Sequence, residues 1–183
     1  MVFLDRDGVI NKNRDDYVKT VDEFEFLPGA LEGLARLKEA GYKAVIVSNQ
    51  AGVGRGLFSL DELERITKAM LGEIRLTGGE IAGVYYCIHR KDEGCGCRKP
   101  EPGLFLKARE ELGLDSEGSF LIGDTESDIC AGYRAGCTTI LVLTGKSSAD
   151  DVEHWQYKPD YIADNLQSAV EWIINNRVGI KSN

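Results

Sequence analysis

The sequence has no apolar run long enough to cross a bilayer and no charged-then-apolar leader, so neither a membrane anchor nor secretion is expected, and a cytoplasmic protein is. It has no excess of positive charge. Its 22 Lys+Arg stand against 30 Asp+Glu, a net of -8, which excludes a general nucleic-acid or membrane-surface binder. Any anionic substrate must therefore meet a local basic patch. An even set of cysteines is missing too: there are five, three of them between positions 87 and 97, a pattern of metal ligation rather than of a secreted disulfide framework. No repeat or low-complexity segment is present. The GxxxxGK[ST] phosphate loop is also absent, because Ala51 to Gly56 supplies glycines without the lysine. A chain of 183 residues predicts one compact domain spanning 1–183.

What is present alternates. Met1 to Leu4 is a short apolar run that suits a buried strand and ends in Asp5-Arg6-Asp7-Gly8. Val9 to Pro28 is polar and predicts a long loop over the strand edge, a length that in a compact domain usually serves function. A helix is expected from Pro28-Gly29 to Gly41, a strand from Lys43 to Ser48, and a flexible glycine-rich loop from Ala51 to Gly56. Ser59 with Glu62 forms a capping box for a helix to about Thr77. Then follow a strand at Ile81 to Cys87, a helix at Gly103 to Leu112, a strand at Ser119 to Ile122 and a helix at Ser127 to Ala135. A strand at Thr138 to Leu143, an edge strand at Asp160 to Ala163 and a helix at Leu166 to Asn176 complete the chain. This order predicts a doubly wound α/β fold, a parallel sheet with helices on both faces. Parallel strands bring Asp5 and Asp7, Ser48 and Asn49, and Asp124 and Asp128 to one edge, where such sheets bind ligands. Clustered carboxylates with hydroxyl and amide donors suit Mg²⁺, and Lys99 could bring the positive charge that a phosphate needs.

These motifs, in register over nearly the whole chain, resemble the haloacid dehalogenase (HAD) superfamily of phosphohydrolases: Asp5-Arg6-Asp7-Gly8, Ser48, Lys99 and Gly123-Asp124-Thr125-Glu126-Ser127-Asp128. The Asp5 to Asn11 run, Ser48-Asn49-Gln50 and the C-x-H to C-x-C-R-K-P stretch, Cys87 to Pro100, resemble its branch of D-glycero-D-manno-heptose 1,7-bisphosphate and histidinol-phosphate phosphatases. The resemblance implies Asp5 as nucleophile through an aspartyl-phosphate and Asp7 as acid and base. It implies Mg²⁺ on the Asp5 carboxylate, the Asp7 main-chain carbonyl and Asp124, with Asp128 a ligand through water or a group that orients Lys99. Ser48 and Lys99 would stabilise charge on the phosphoryl oxygens.

Cys87, His89, Cys95 and Cys97 make a Cys₃His set that fits a structural Zn²⁺, and clamping this loop would place Lys99. Cys130 and Cys137 are expected as buried small hydrophobes, and His154 and Trp155 as surface packing. No segment has room for a large cap domain. The loops Asn13-Arg14-Asp15-Asp16, Asn49-Gln50 to Arg55, and Arg98 are therefore the expected contacts to the substrate beyond its phosphate. That substrate is expected to be a small phosphorylated metabolite bound by a monomer, with no nucleic acid and no membrane. The Glu101-Pro102-Gly103-Leu104 and Val142 to Lys146 runs favour the 7-phosphate of the heptose bisphosphate. The five residues between His89 and Cys95, and Thr125 where heptose enzymes often place lysine, favour histidinol phosphate. A phospho-receiver-like signalling domain lacks any need for Asp7 or a zinc clamp, and Asp92-Glu93 disfavour a zinc module for nucleic acid. A 3' nucleic-acid phosphatase of the same superfamily is a further alternative.

Overall fold

The computed structural model describes residues 1–113 and 118–176. The expected single-domain span of 1–183 thus includes 114–117 and 177–183, which lie outside the described residues. Six strands, β1 (Val2–Leu4), β2 (Ala44–Asn49), β3 (Ile81–Cys87), β4 (Phe120–Gly123), β5 (Thr138–Val142) and β6 (Tyr161–Ala163), form one sheet in the order β3-β2-β1-β4-β5-β6. Every pairing is parallel. β1 lies at the centre, and its three residues pair on one side with Ala44, Val45 and Ile46 and on the other with Phe120, Leu121 and Ile122.

Alternation along the strands divides the core into two layers. Val2, Leu4, Ala44, Ile46, Ile122 and Ile140 face the helices α1 (Ala30–Glu39), α3 (Leu60–Leu76) and α6 (Leu166–Asn176). Phe3, Val45, Val47 and Leu121 face α4 (Gly103–Leu112) and α5 (Glu126–Arg134) on the other side. Helices cover both faces, as the alternation predicts. Cys130 and Cys137 are buried as expected. α3 begins at the expected Ser59, whose hydroxyl caps the helix by accepting from the Glu62 N–H.

One element departs from expectation. Ala51 to Gly54 is not a flexible loop but a helical turn, α2, packed between neighbours. Its glycines serve close approach: a Cβ on Gly52 would sit 2.3 Å from the Phe58 ring, and one on Gly54 2.4 Å from the Ile88 carbonyl oxygen. The segment after β1 is a loop with buried anchors, since Val9, Ile10 and Val18 are inside and Asn11 bridges to Phe26.

Candidate active site

The carboxyl ends of β1, β2 and β4 open into one cleft of about 210 Å³. Asp5, Asp7, Ser48, Asn49, Lys99, Asp124 and Asp128 line it, joined at the rim by Asn13, Arg14, Asp15 and Arg98. Parallel pairing does this, because it stacks equivalent strand ends side by side.

Lys99 lies at the floor, fully buried. Its ammonium donates to the Val47 carbonyl at 2.8 Å and pairs with Asp5 Oδ1 at 3.0 Å and Asp128 Oδ1 at 2.6 Å, so three acceptors match its three protons. Burial pushes the lysine toward its neutral form, but the charges of Asp128 and Asp5 outweigh it and hold the ammonium above its usual range. Asp128 thus makes the shorter of the two carboxylate contacts to Lys99. Its other oxygen, Oδ2, accepts from the Thr125 hydroxyl at 2.6 Å and from the Thr125 N–H at 3.1 Å, closing the capping box of α5.

Asp5 accepts from the Arg6 N–H at 2.7 Å. Burial, with the charges of Asp128 and Asp7, pushes its carboxyl up to about 6 against the pull of Lys99 and the Ser48 hydroxyl. Asp124 goes further, to about 8, through burial and the charges of Asp128 and Asp5. The Lys146 N–H donates to its Oδ2 at 2.9 Å, but its Oδ1 is buried without a hydrogen-bond partner. Ligand oxygens of Asp5, Asp124 and Asp128 lie within 4.8 Å of one another. An orphaned buried oxygen among mutually repelling carboxylates is what a hard divalent cation satisfies, so these residues fit Mg²⁺. Glycine shapes the cradle: a Cβ on Gly8, at φ 83°, would sit 2.4 Å from Asp124 Oδ2, and one on Gly145 would sit 1.9 Å from it.

At the end of β3, Cys87, His89, Cys95 and Cys97 converge. Cys87 Sγ lies 3.6 Å from Cys95 Sγ and 3.6 Å from His89 Nδ1. Cys97 Sγ lies 3.5 Å from Cys95 Sγ and 3.3 Å from His89 Nδ1. Bond lengths of about 2.0–2.3 Å around tetrahedral zinc imply ligand separations of about 3.5–3.8 Å, so the set fits one Zn²⁺.

Three expected substrate contacts are placed elsewhere. Gln50 is fully buried and bonded to Asp7, Arg6 and Ser48, so it belongs beneath the cleft. Asp16 is an exposed partner of Arg14 and Lys19, and Arg55 is an exposed cation 6.0 Å from the Tyr17 ring centroid; neither lines the cleft. Their neighbours Asp15 and Asn49 do line the cleft, so what differs is the direction of the individual side chain. Conversely, Tyr17, Ser127 and Lys146 line the cleft without having been singled out as contacts. The Gly145-Lys146 pair was the available signal for Lys146. Tyr17, at φ 67°, has none in sequence.

A curated relative from Pseudomonas aeruginosa, a D-glycero-beta-D-manno-heptose-1,7-bisphosphate 7-phosphatase, is 40% identical over 146 residues, covering 80% of this chain and 82% of that protein. The chain belongs to that phosphatase family. The Neisseria meningitidis serogroup A member of the family is 35% identical over 176 residues, 95% of this chain and 94% of its own. The HAD-hydrolase-like family model matches residues 96–169. In three dimensions, the D,D-heptose 1,7-bisphosphate phosphatase of B. bronchiseptica, solved with magnesium and phosphate, superposes with a TM-score of 0.89 at 34% identity, covering 96% of this chain and 98% of that one. The chain is accordingly a HAD-fold phosphomonoester hydrolase without a large cap, and the expected resemblance holds. Among the described residues no helix is long and apolar enough to cross a membrane.

Proposed function

We propose that the protein removes the 7-phosphate of D-glycero-D-manno-heptose 1,7-bisphosphate through an aspartyl-phosphate on Asp5. A carboxylate oxygen of Asp5 forms the bond to phosphorus as the bond from phosphorus to the sugar oxygen breaks, and Asp7 gives that oxygen its proton. Water then attacks the phosphorylated Asp5, Asp7 takes the water's proton, and inorganic phosphate leaves with the Asp5 carboxylate restored. Ser48 donates to the phosphoryl oxygens, and Lys99, whose three protons are matched in the free site, would turn the one on Asp5 to a phosphoryl oxygen as that carboxylate is consumed. Mg²⁺ held by the Asp5 carboxylate, the Asp7 carbonyl and Asp124, with Asp128 behind Lys99, would neutralise charge between two approaching anions. Asn13, Arg14, Asp15, Asn49 and Arg98 are the proposed contacts to the rest of the substrate, and Zn²⁺ on Cys87, His89, Cys95 and Cys97 is proposed to be structural.

The observation that carries the substrate choice is a pair of cations in a cleft lining otherwise rich in carboxylates. Arg98 and Lys146 both line it, and among the described residues neither has a carboxylate partner within 4.0 Å. A second phosphate answers those cations; the amine of histidinol phosphate does not. The test is phosphate release with Mg²⁺ from the heptose bisphosphate, as both anomers, against histidinol phosphate, with Asp5→Asn as blank. Preference for the heptose supports the proposal. Preference for histidinol phosphate would make the short zinc loop the better guide to substrate.

A further inference from the structure

Arg6 is among the largest fully buried side chains, and burying a guanidinium costs several kcal/mol unless it is paired. The carboxylate it pairs with is Asp7. Arg6 Nη2 lies 3.0 Å from both Asp7 oxygens and donates to Gln50 Oε1 at 3.1 Å. Gln50 Nε2 donates to Asp7 Oδ2 at 2.7 Å and to Ser48 Oγ at 3.1 Å. Asn11 Nδ2 completes the set, donating to Asp7 Oδ1 at 2.9 Å. Because Gln50 Oε1 must face the arginine, the amide has one orientation, with its nitrogen toward Asp7. Gln50 is fully buried while 22% of the Asp7 side chain remains exposed to the cleft. Three nitrogens make four contacts with two oxygens that together offer about four acceptor positions, so the carboxylate is held on both of its oxygens.

Given the acid–base role proposed for Asp7, we infer that Gln50, braced by Arg6, is a positioning residue that holds the Asp7 carboxylate in line for the leaving oxygen. It reaches Asp7 from the end of β2, 43 residues away in sequence, and so ties the acid–base group to the strand that carries Ser48. Gln50 is fully buried and does not line the cleft. Its contribution lies in the orientation of a side chain whose transfer of a proton depends on geometry.

Leaving-group chemistry tests this. A sugar or alkyl phosphate needs a proton on its departing oxygen, whereas 4-nitrophenyl phosphate does not. Gln50→Met keeps the shape and loses the donor; Gln50→Asn keeps the polarity but falls short of Asp7, and serves if the first variant does not fold. Each should lower kcat on the sugar phosphate by about 30-fold or more, with KM within about threefold. The single-turnover burst of 4-nitrophenolate, which reports phosphoryl transfer to Asp5 alone, should stay within about fivefold. Equal losses on both substrates, or full activity on the sugar phosphate, would overturn the inference. Asp7→Asn is run alongside. If that variant shows no split between the substrates, the acid–base reading of Asp7 fails, a result distinct from failure of the Gln50 variants alone.

Discussion

The carboxamide of Asn49 closes two hydrogen bonds on the main chain of Lys99, accepting from its N–H at 3.1 Å and donating to its carbonyl at 3.1 Å. Asn49 is the last residue of β2, so the sheet itself fixes the loop that delivers the lysine. Zinc on the neighbouring cysteines would brace the same loop from its other side. Asn49→Ala should therefore lower kcat by about 10- to 100-fold, since a 1 Å misplacement can cost that much. It should cost about 1–2 kcal/mol of stability from the lost pair of bonds. Steady-state kinetics beside thermal unfolding checks both; unchanged kcat would show that the zinc loop positions Lys99 unaided.

Lys99→Met removes the cation between two buried carboxylates. Activity should fall by about 10²- to 10³-fold. Stability should fall by about 3–5 kcal/mol, the usual consequence of leaving a buried charge without its partner. Denaturant unfolding measures this, and a loss under about 1 kcal/mol would mean that Asp5 and Asp128 relax into solvent.

The raised carboxyls give a pH dependence of definite sign. Asp5, at about 6, and Asp124, at about 8, bind protons more tightly folded than unfolded. Their contribution to stability is therefore full below about pH 4 and is lost as pH rises through the folded values. In Mg²⁺-free buffer, repulsion at the site should grow between about pH 5 and about pH 8, and added Mg²⁺ should raise Tm more at the higher pH. Equal Mg²⁺ shifts at both pH values would show that these carboxyls do not hold the ion.

Metal analysis should find about one zinc per chain. Cys97→Ala should lose it, and with it most of the activity, because Cys97 lies two residues before Lys99. Zinc loss with full activity retained would confine the clamp to a purely local role.

Gly145→Ala would place a Cβ 1.9 Å from Asp124 Oδ2. Either the carboxylate or the loop must move, so the variant should bind Mg²⁺ about tenfold or more weakly while keeping its zinc; the displacement is comparable to one that costs 10²-fold in rate elsewhere. Mg²⁺ titration followed by Tm reads the change. Unaltered affinity would remove Asp124 from the proposed ligand set.

Local patterns along the chain are enough to define the sheet, the two helical layers and the edge at which chemistry gathers. Strand and helix periods are local, and parallel topology follows from their alternation. The same patterns also place Asp5, Ser48, Lys99, Asp124 and the Cys₃His set, because each stands at a strand end or in a tight spacing that survives any reasonable packing. Which neighbours of those residues face the cleft is set by packing between distant segments. Gln50 reads as part of a substrate loop, yet it is buried beneath Asp7 together with Arg6, and Asp16 and Arg55 turn outward while Lys146 and Tyr17 turn in. The reason is that a motif fixes where the backbone goes, but the direction of a loop side chain depends on contacts from distant strands and helices. Here the bond from Gln50 to Asp7 and the two from Asn49 to Lys99 span 43 and 50 residues, and no local pattern encodes them.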